Sequence, residues 1–157
     1  MDEKSSYVAI TEHWYTNTEV ECINLKGYRR LSAFARETLI HGCLSIFIEE
    51  GIVDVEEVKY VVQKSVEGII EFSSVVNRKC KLIIIAIYRP PQGNDDVFYD
   101  ILADVLDLRH NRFRNYKAVL LEKEQAKLDD TGYYEVTQKQ EENIQKHEER
   151  ASVKEGF

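Results

Sequence analysis

A long apolar run in the middle of the sequence ends in two residues that can donate hydrogen bonds to a ligand. The stretch KLIIIAIY, residues 81–88, leads directly into Arg89, Pro90 and Pro91. A tyrosine hydroxyl and an arginine guanidinium are both hydrogen-bond donors. Two successive prolines end a strand and keep the preceding chain extended. We therefore expect Tyr88 and Arg89 to be held rigidly and exposed at the rim of a core.

Other residue types that commonly do chemistry give weaker signals. Glu12 and His13 follow the short apolar run YVAIT, but alternation along a strand would turn their side chains to opposite faces. The three cysteines are odd in number and widely spaced, which favours reduced thiols over a disulfide framework or a zinc site. They are Cys22, Cys43 and Cys80.

The overall composition favours an intracellular globular protein. The 157 residues are 43% hydrophobic, enough for the core of one domain. The formal net charge is -7, so nucleic-acid binding would require a local basic patch. The first residues, MDEKSSYVAI, do not resemble a signal peptide. The longest apolar stretch, residues 82–88, is too short to span a bilayer, so we expect no membrane association.

The end of the chain differs in composition from the rest. Residues 122–157 are rich in Glu, Lys and Gln and poor in aliphatic side chains. Such a segment cannot bury much surface, so we expect a solvated helix or disorder. We therefore divide the chain into a domain over residues 1–121 and a charged helical or disordered tail over residues 122–157.

The apolar pattern predicts many strands and few helices. Strands are expected over residues 7–11, 27–35, 43–50, 58–64, 68–73, 81–88 and 116–121. The last but one is apolar on both faces, as in a central strand. Helices are expected over residues 16–25 and from Asn94, a capping residue, to about Arg109. This succession predicts an α+β fold in which two sheets pack together with helices outside.

Several of these pieces occur in the order found in a known superfamily. The segments AITEHWYTNTEVECINLKGYRRLSAFARETLIHGCLSIFIEEG and LIIIAIYRPPQGNDDVFYDILADVL contain Thr-Glu-x-Trp after a strand, an Arg-x(n)-His-Gly loop before a strand, and Tyr-Arg-Pro-Pro before a helix. Together they resemble the endonuclease/exonuclease/phosphatase superfamily. More narrowly, they are similar to the apurinic-type endonuclease domain of non-LTR, jockey-like retrotransposons. The resemblance covers residues 8–121 and implies a partial four-layer α/β sandwich, with two packed mixed sheets and outer helices.

What the resemblance implies is metal-dependent hydrolysis of phosphodiester bonds in DNA. In the family a divalent ion, usually Mg²⁺, stabilises charge on the phosphate while an oriented water attacks it. The Glu of Thr-Glu-x-Trp is the family's metal-binding carboxylate, which gives Glu12 that role. The Tyr of Tyr-Arg-Pro-Pro is the family's active-site tyrosine, which gives Tyr88 that role. Arg89 is a candidate for binding the substrate phosphate.

Each of these residues also has an ordinary interpretation. Glu12 could be a solvated residue after an edge strand, Tyr88 a half-buried aromatic of a sheet, and Arg89 a surface arginine. Three further arginines could form a local basic patch near DNA or could be ordinary surface charge. They are Arg29, Arg30 and Arg36.

The sequence departs from the family in three places. We find no strand with a metal-site Asn within residues 1–7, and no Ser-Asp-His segment carrying a catalytic His. Leu121 is followed by Glu-Lys-Glu where the family has Gly-Asp-Phe-Asn, whose Asp and Asn position the nucleophile and the phosphate. Proton-transfer groups are each worth roughly 10²–10⁴-fold in rate. We therefore expect this fragment to be inactive, and Mg²⁺ need not bind to it.

Two other functions stay open. One is a weak Mg²⁺-dependent nuclease or phosphatase that recruits Glu122 or Glu124 as ligands. The other is a non-enzymatic interaction scaffold whose charged tail binds a protein partner. Missing strands would leave sheet edges exposed, which favours self-association. DNA is the partner that the resemblance implies, in an intracellular location that could be the nucleus.

Overall fold

A computed structural model describes residues 6–11, 24–37, 43–91, 93–123 and 133–135. Within them, two four-stranded sheets pack against each other and two helices accompany them. The predicted α+β class, with sheet packed on sheet, is confirmed.

The first sheet is entirely antiparallel. It contains β1 (Tyr7–Thr11), β2 (Tyr28–Ala35), β3 (Cys43–Glu49) and β8 (Tyr133–Glu135) in the order β2-β3-β1-β8. The first three are predicted strands and are confirmed. The three residues of β8 belong to the segment that we expected to be helical or disordered, and they pair with β1 instead.

The second sheet is mixed. It contains β4 (Val55–Glu57), β5 (Glu71–Asn77), β6 (Leu82–Tyr88) and β7 (Lys117–Lys123) in the order β4-β5-β6-β7. Its pairs are antiparallel except for the parallel pair of β6 with β7. β6 lies between two strands and is buried on both faces, as its apolar sequence predicts. Only one of the two sheets is therefore mixed, because the first has no parallel pair among the described strands.

The longer helix connects β6 to its parallel neighbour. The shorter helix, α1, spans Lys59–Val62, and α2 spans Asp95–Arg112. The side chain of Asn94 accepts a hydrogen bond from the Val97 amide at 3.1 Å and so caps α2. The prediction of α2 is confirmed, and the helix continues three residues beyond Arg109. Neither described helix is long and apolar enough to cross a membrane.

Two strand predictions were wrong in detail. Residues 58–64 contain α1 rather than a strand, because the neighbouring side of β5 is already paired with β4. Here Val58 and Val61, three residues apart, both bury their side chains. The strand predicted over residues 68–73 begins only at Glu71, since Gly68 adopts a φ of 79° within a tight turn.

Successive residues of β6 alternate between two apolar clusters. The odd-numbered isoleucines from Ile83 to Ile87 pack with α1 and α2 in an outer cluster. The even-numbered residues from Ile84 to Tyr88 face the first sheet in an inner cluster that also contains residues of β1, β3, β5 and β7. The described residues thus form three layers: the first sheet, the second sheet and the helices.

Some predictions fall outside the described residues. These include Glu12, residues 16–23 of the helix expected over residues 16–25, and most of the tail. The boundary at residue 121 stays a prediction, although β7 continues without a break to Lys123.

Candidate functional site

Arg36 connects the two sheets at one edge of the sandwich. It follows the last residue of β2, and its Nε donates a hydrogen bond to Oε1 of Glu71, the first residue of β5. Its guanidinium also lies over the ring of Tyr88, the last residue of β6, at 5.7 Å from the ring centroid. Glu71 and Tyr88 are directly opposite each other in the antiparallel ladder.

The carboxyl end of β1 lies at the same edge. Thr11 pairs with Leu44 of β3, which in turn pairs with Phe34 of β2, two residues before Arg36. At the opposite end of the sandwich, Asn77 Nδ2 donates to the Tyr7 hydroxyl at 2.9 Å. β1 and β5 therefore run in opposite directions across the sheet interface. We call the end that carries Thr11, Arg36, Glu71 and Tyr88 the Tyr88 edge.

Tyr88 is buried rather than exposed. Tyr88 is only 4% exposed, because it is one of the even-numbered residues of β6 that face the inner cluster. The expectation that the strand end presents a phenol to solvent was therefore wrong. A guanidinium over an aromatic face is attracted by the negative face of the ring, so the contact with Arg36 favours one ring position.

The Arg36–Glu71 pair is almost completely buried. The side chains are 7% and 0% exposed, respectively. Arg36 Nη2 and Glu71 Oε2 have no hydrogen-bond partner among the described residues. Burial raises the pKa of the Glu71 carboxyl above its ordinary value, although Arg36 and the Gly68 amide pull it down in part. The desolvation of the carboxylate outweighs its ion pair.

Buried hydroxyl groups continue the polar contact between the sheets. The Ser73 hydroxyl donates to the Ser32 hydroxyl at 2.8 Å, and the Ser74 amide donates to the same Ser32 oxygen at 3.1 Å. Register along β2 shifts between Arg30 and Ser32, as at a β-bulge. These contacts fix β2 on β5 and thereby fix where Arg36 leaves the sheet.

The turn after Tyr88 packs on the segment that leads to Glu71. The Gly93 amide donates to the Pro90 carbonyl at 3.2 Å. A Cβ atom on Gly93 would lie 3.1 Å from the Ile69 carbonyl oxygen, which is closer than ordinary van der Waals contact. A side chain at this position would require the Ile69 carbonyl to shift by a few tenths of an ångström. The turn thus packs the end of β6 closely against the start of β5.

Arg89 contacts the first turn of α2. Its guanidinium pairs with Asp95 and lies over the rings of Phe98 and Tyr99, at 4.7 Å and 5.6 Å from their centroids. Its side chain is 20% exposed. These contacts give Arg89 a structural role at the start of the helix, and its role in substrate binding stays a prediction.

The described residues do not fit a magnesium site by themselves. No group of three or more His, Cys, Asp or Glu residues that could hold a metal ion occurs in this part of the chain. The buried carboxylate at the Tyr88 edge, Glu71, already pairs with Arg36. Glu12, the predicted ligand, lies outside the described residues. Its neighbour Thr11 is at the edge, with a buried Oγ1 that lacks a hydrogen-bond partner among those residues.

The three arginines considered as a basic patch do not act together. Arg36 is buried in its pair with Glu71. Arg29 is exposed and donates to the Ile52 carbonyl at 3.2 Å, whereas the next residue, Arg30, buries its Nη1. Adjacent residues of a strand point to opposite faces. A continuous basic surface of these three side chains is therefore absent from the described structure.

A shallow surface depression lies away from the predicted site. Its lining includes Asp54, Glu56 and Arg78, and the last two form an exposed ion pair. It adjoins Asn77, at the end of β5 opposite Glu71. This depression therefore does not coincide with the Tyr88 edge.

Comparison with known proteins and structures identifies no relative of this chain. No protein-family model, no curated protein and no solved structure matches the chain. The resemblance to the endonuclease/exonuclease/phosphatase superfamily therefore rests on the ordered sequence motifs, and it stays a prediction.

Glu71 was not among the predicted site residues. One signal was available: Glu71 is a single acidic residue within the otherwise apolar and small stretch GIIEFSSVV. A carboxylate in a strand that is buried on both faces requires a charged or hydrogen-bonding partner. That partner, Arg36, is 35 residues away in sequence, so spacing alone could not have identified it.

Proposed function

We propose that this chain derives from a retrotransposon DNA endonuclease of the endonuclease/exonuclease/phosphatase superfamily and no longer hydrolyses phosphodiesters on its own. One observation supports the proposal above the others. Thr11, which precedes the Glu of Thr-Glu-x-Trp, and Tyr88 of Tyr-Arg-Pro-Pro end their strands at the same edge of a two-sheet sandwich. Two motifs that are far apart in sequence, and that the family uses in one active site, thus begin at the same edge of the sandwich.

The proposed loss of activity follows from the groups around that edge. A family enzyme would use Mg²⁺ to stabilise charge on the scissile phosphate, with Glu12 as a ligand. The described residues supply no ligand set for the ion, so we assign no step to it. The strand β7 continues through Glu122 to Lys123 where the family has its nucleophile-orienting Asp and Asn. Tyr88 is buried beneath Arg36 rather than open to a phosphate.

Nicking of supercoiled plasmid tests this proposal. The full chain would be incubated with plasmid and Mg²⁺ or Mn²⁺, beside Glu12→Ala and Tyr88→Phe variants purified in the same way. We expect the wild type to nick no faster than either variant, because the positioning groups for attack are missing. Nicking that disappears in the Glu12→Ala variant would instead establish a working, divergent nuclease.

An interaction scaffold is the second candidate. Its support is that Tyr88 and Arg89 are both engaged within the fold, and that residues 133–135 of the charged tail pair with β1. A tail anchored in this way could present its remaining residues to a protein partner in an intracellular compartment. Limited proteolysis distinguishes this arrangement, because an anchored tail should resist cleavage between Lys123 and Tyr133, and rapid cleavage there would contradict it.

A further inference from the structure

The sandwich buries a charged pair between its two sheets. Arg36 and Glu71 are 7% and 0% exposed in their side chains, and each keeps one polar atom without a hydrogen-bond partner among the described residues. Buried ion pairs rarely recover their desolvation cost, and apolar side chains of similar volume are often at least as stable. Stability alone therefore does not account for this pair.

Arg36 and Glu71 approach Tyr88 from different sheets. Glu71 faces Tyr88 across the β5–β6 ladder and projects into the same space between the sheets. Arg36 comes from the other sheet and lies over the ring face, with its guanidinium carbon 5.7 Å from the ring centroid. The hydrogen bond from Arg36 Nε to Glu71 fixes the guanidinium in that position. Arg36 thus contacts the ring, and Glu71 acts on the ring through Arg36.

We infer that Arg36 and Glu71 are positioning residues for Tyr88, which hold its ring at one place on the edge. The inference rests on the proposed function for the use of the Tyr88 hydroxyl, which in the ancestral reaction would donate to a phosphate oxygen. A misplacement of about 1 Å can cost ~10²-fold in rate, so a buried device that fixes one ring is useful to such a site. A purely apolar contact would leave the ring position to packing alone.

The test uses the Tyr88 ring itself as the probe. The full chain, labelled with ¹³C at tyrosine Cζ, should give one NMR signal for each of its nine tyrosines. The variant Tyr88→Phe identifies the Tyr88 signal. We expect Arg36→Met and Glu71→Gln to move or broaden that signal beyond its wild-type linewidth, while the remaining tyrosine signals show that the fold is intact.

Arg89 offers a matched control. Its guanidinium lies over Tyr99 at 5.6 Å, nearly the same distance as Arg36 from Tyr88. Arg89→Met should therefore move the Tyr99 signal and leave the Tyr88 signal in place. Arg36→Lys keeps a positive charge but lacks the planar guanidinium. Its Tyr88 signal should therefore lie between the wild-type and Arg36→Met chemical shifts.

The outcomes separate this inference from the proposed function. A Tyr88 signal unchanged in both Glu71→Gln and Arg36→Lys would overturn the inference, and these two variants decide the matter even if Arg36→Met does not fold. Because loss of the Arg36 cation alters the shielding of the ring by itself, Glu71→Gln, which keeps that cation, separates the two roles. A purely structural pair would lower stability in Glu71→Gln without moving or broadening the Tyr88 signal. Plasmid nicking abolished by Glu12→Ala would overturn the proposed loss of function, yet it would leave the Tyr88 result as it stands.

Discussion

Arg36 and Glu71 set the chemistry of the Tyr88 edge at the scale of single residues. They bury opposite charges in an apolar interface, and each contributes from a different sheet. Removing one partner of such a pair leaves a buried charge without compensation, whereas removing both leaves only smaller packing changes. Two predictions about the free energy of unfolding follow from this pair.

The first prediction concerns Arg36→Met, which leaves the buried Glu71 carboxylate unpaired. We expect the free energy of unfolding to fall by about 3 kcal/mol. The double variant Arg36→Met/Glu71→Gln should lose clearly less, because no buried charge remains. Urea unfolding of the two single variants and the double variant measures the coupling. Additive losses would show that the two side chains do not act as a pair.

The second prediction concerns pH. Burial raises the pKa of Glu71 above its ordinary value of 4.5. A carboxyl with a higher pKa in the folded state stabilises the protein fully below its unfolded pKa, and this stabilisation is lost as pH rises through the folded pKa. As pH rises above the ordinary pKa and through the raised pKa of the folded state, the wild type should therefore lose free energy of unfolding relative to Glu71→Gln.

Urea unfolding at a series of pH values measures this difference. Glu50→Gln is a suitable control, because Glu50 is an exposed residue in the turn after β3. The difference between the wild type and Glu50→Gln should not follow the same trend. A constant difference between the wild type and Glu71→Gln across the series would contradict the raised pKa of Glu71.

At the scale of elements, α2 is held by its first turn. Asn94 accepts a hydrogen bond from the Val97 amide, and Asp95 and Asp96 lie near the positive end of the helix. Asn94→Ala should lower the free energy of unfolding by about 1 kcal/mol. Asn111→Ala, near the other end of the helix, removes an exposed side chain and should cause no loss. Equal effects of the two substitutions in thermal or urea unfolding would show that the cap contributes nothing.

Local signals in the sequence were sufficient for some elements. The apolar run predicted the position of β6 closely. The Asn cap and the apolar spacing did the same for α2. In both cases tertiary contacts do not override the local pattern. Residues 58–64 are apolar enough for a strand but contain α1, since the pairing partners of β5 are β4 and β6. Which segment pairs at a sheet edge depends on residues that are far apart in sequence, so local propensity does not determine it.

The candidate site was predictable only in part, for the same reason. Tyr88 ends a buried strand, as the apolar run before the two prolines predicted, but its own burial depends on the first sheet packing over it. The role of Arg36 depends on the β2 end reaching Glu71. Neither the partner nor the orientation of a side chain follows from residue spacing when two sheets meet.

For the whole molecule, the edges of the second sheet bear on association. Among the described strands β7 is an edge strand, because it pairs only with β6. An open edge of seven residues can pair with another chain, so we expect self-association that increases with protein concentration. Sedimentation velocity over a range of concentrations measures it. A chain that sediments as a monomer throughout would show that this edge is protected.

We propose that the chain retains a nuclease-like edge but does not hydrolyse phosphodiesters. Plasmid nicking tests this claim by comparing the wild-type rate with that of Glu12→Ala in the presence of Mg²⁺ or Mn²⁺. Since each missing proton-transfer or positioning group is worth roughly 10²–10⁴-fold, the two rates should be indistinguishable. A wild-type rate that exceeds the Glu12→Ala rate by about tenfold, or 1.4 kcal/mol of transition-state stabilisation, would contradict the claim.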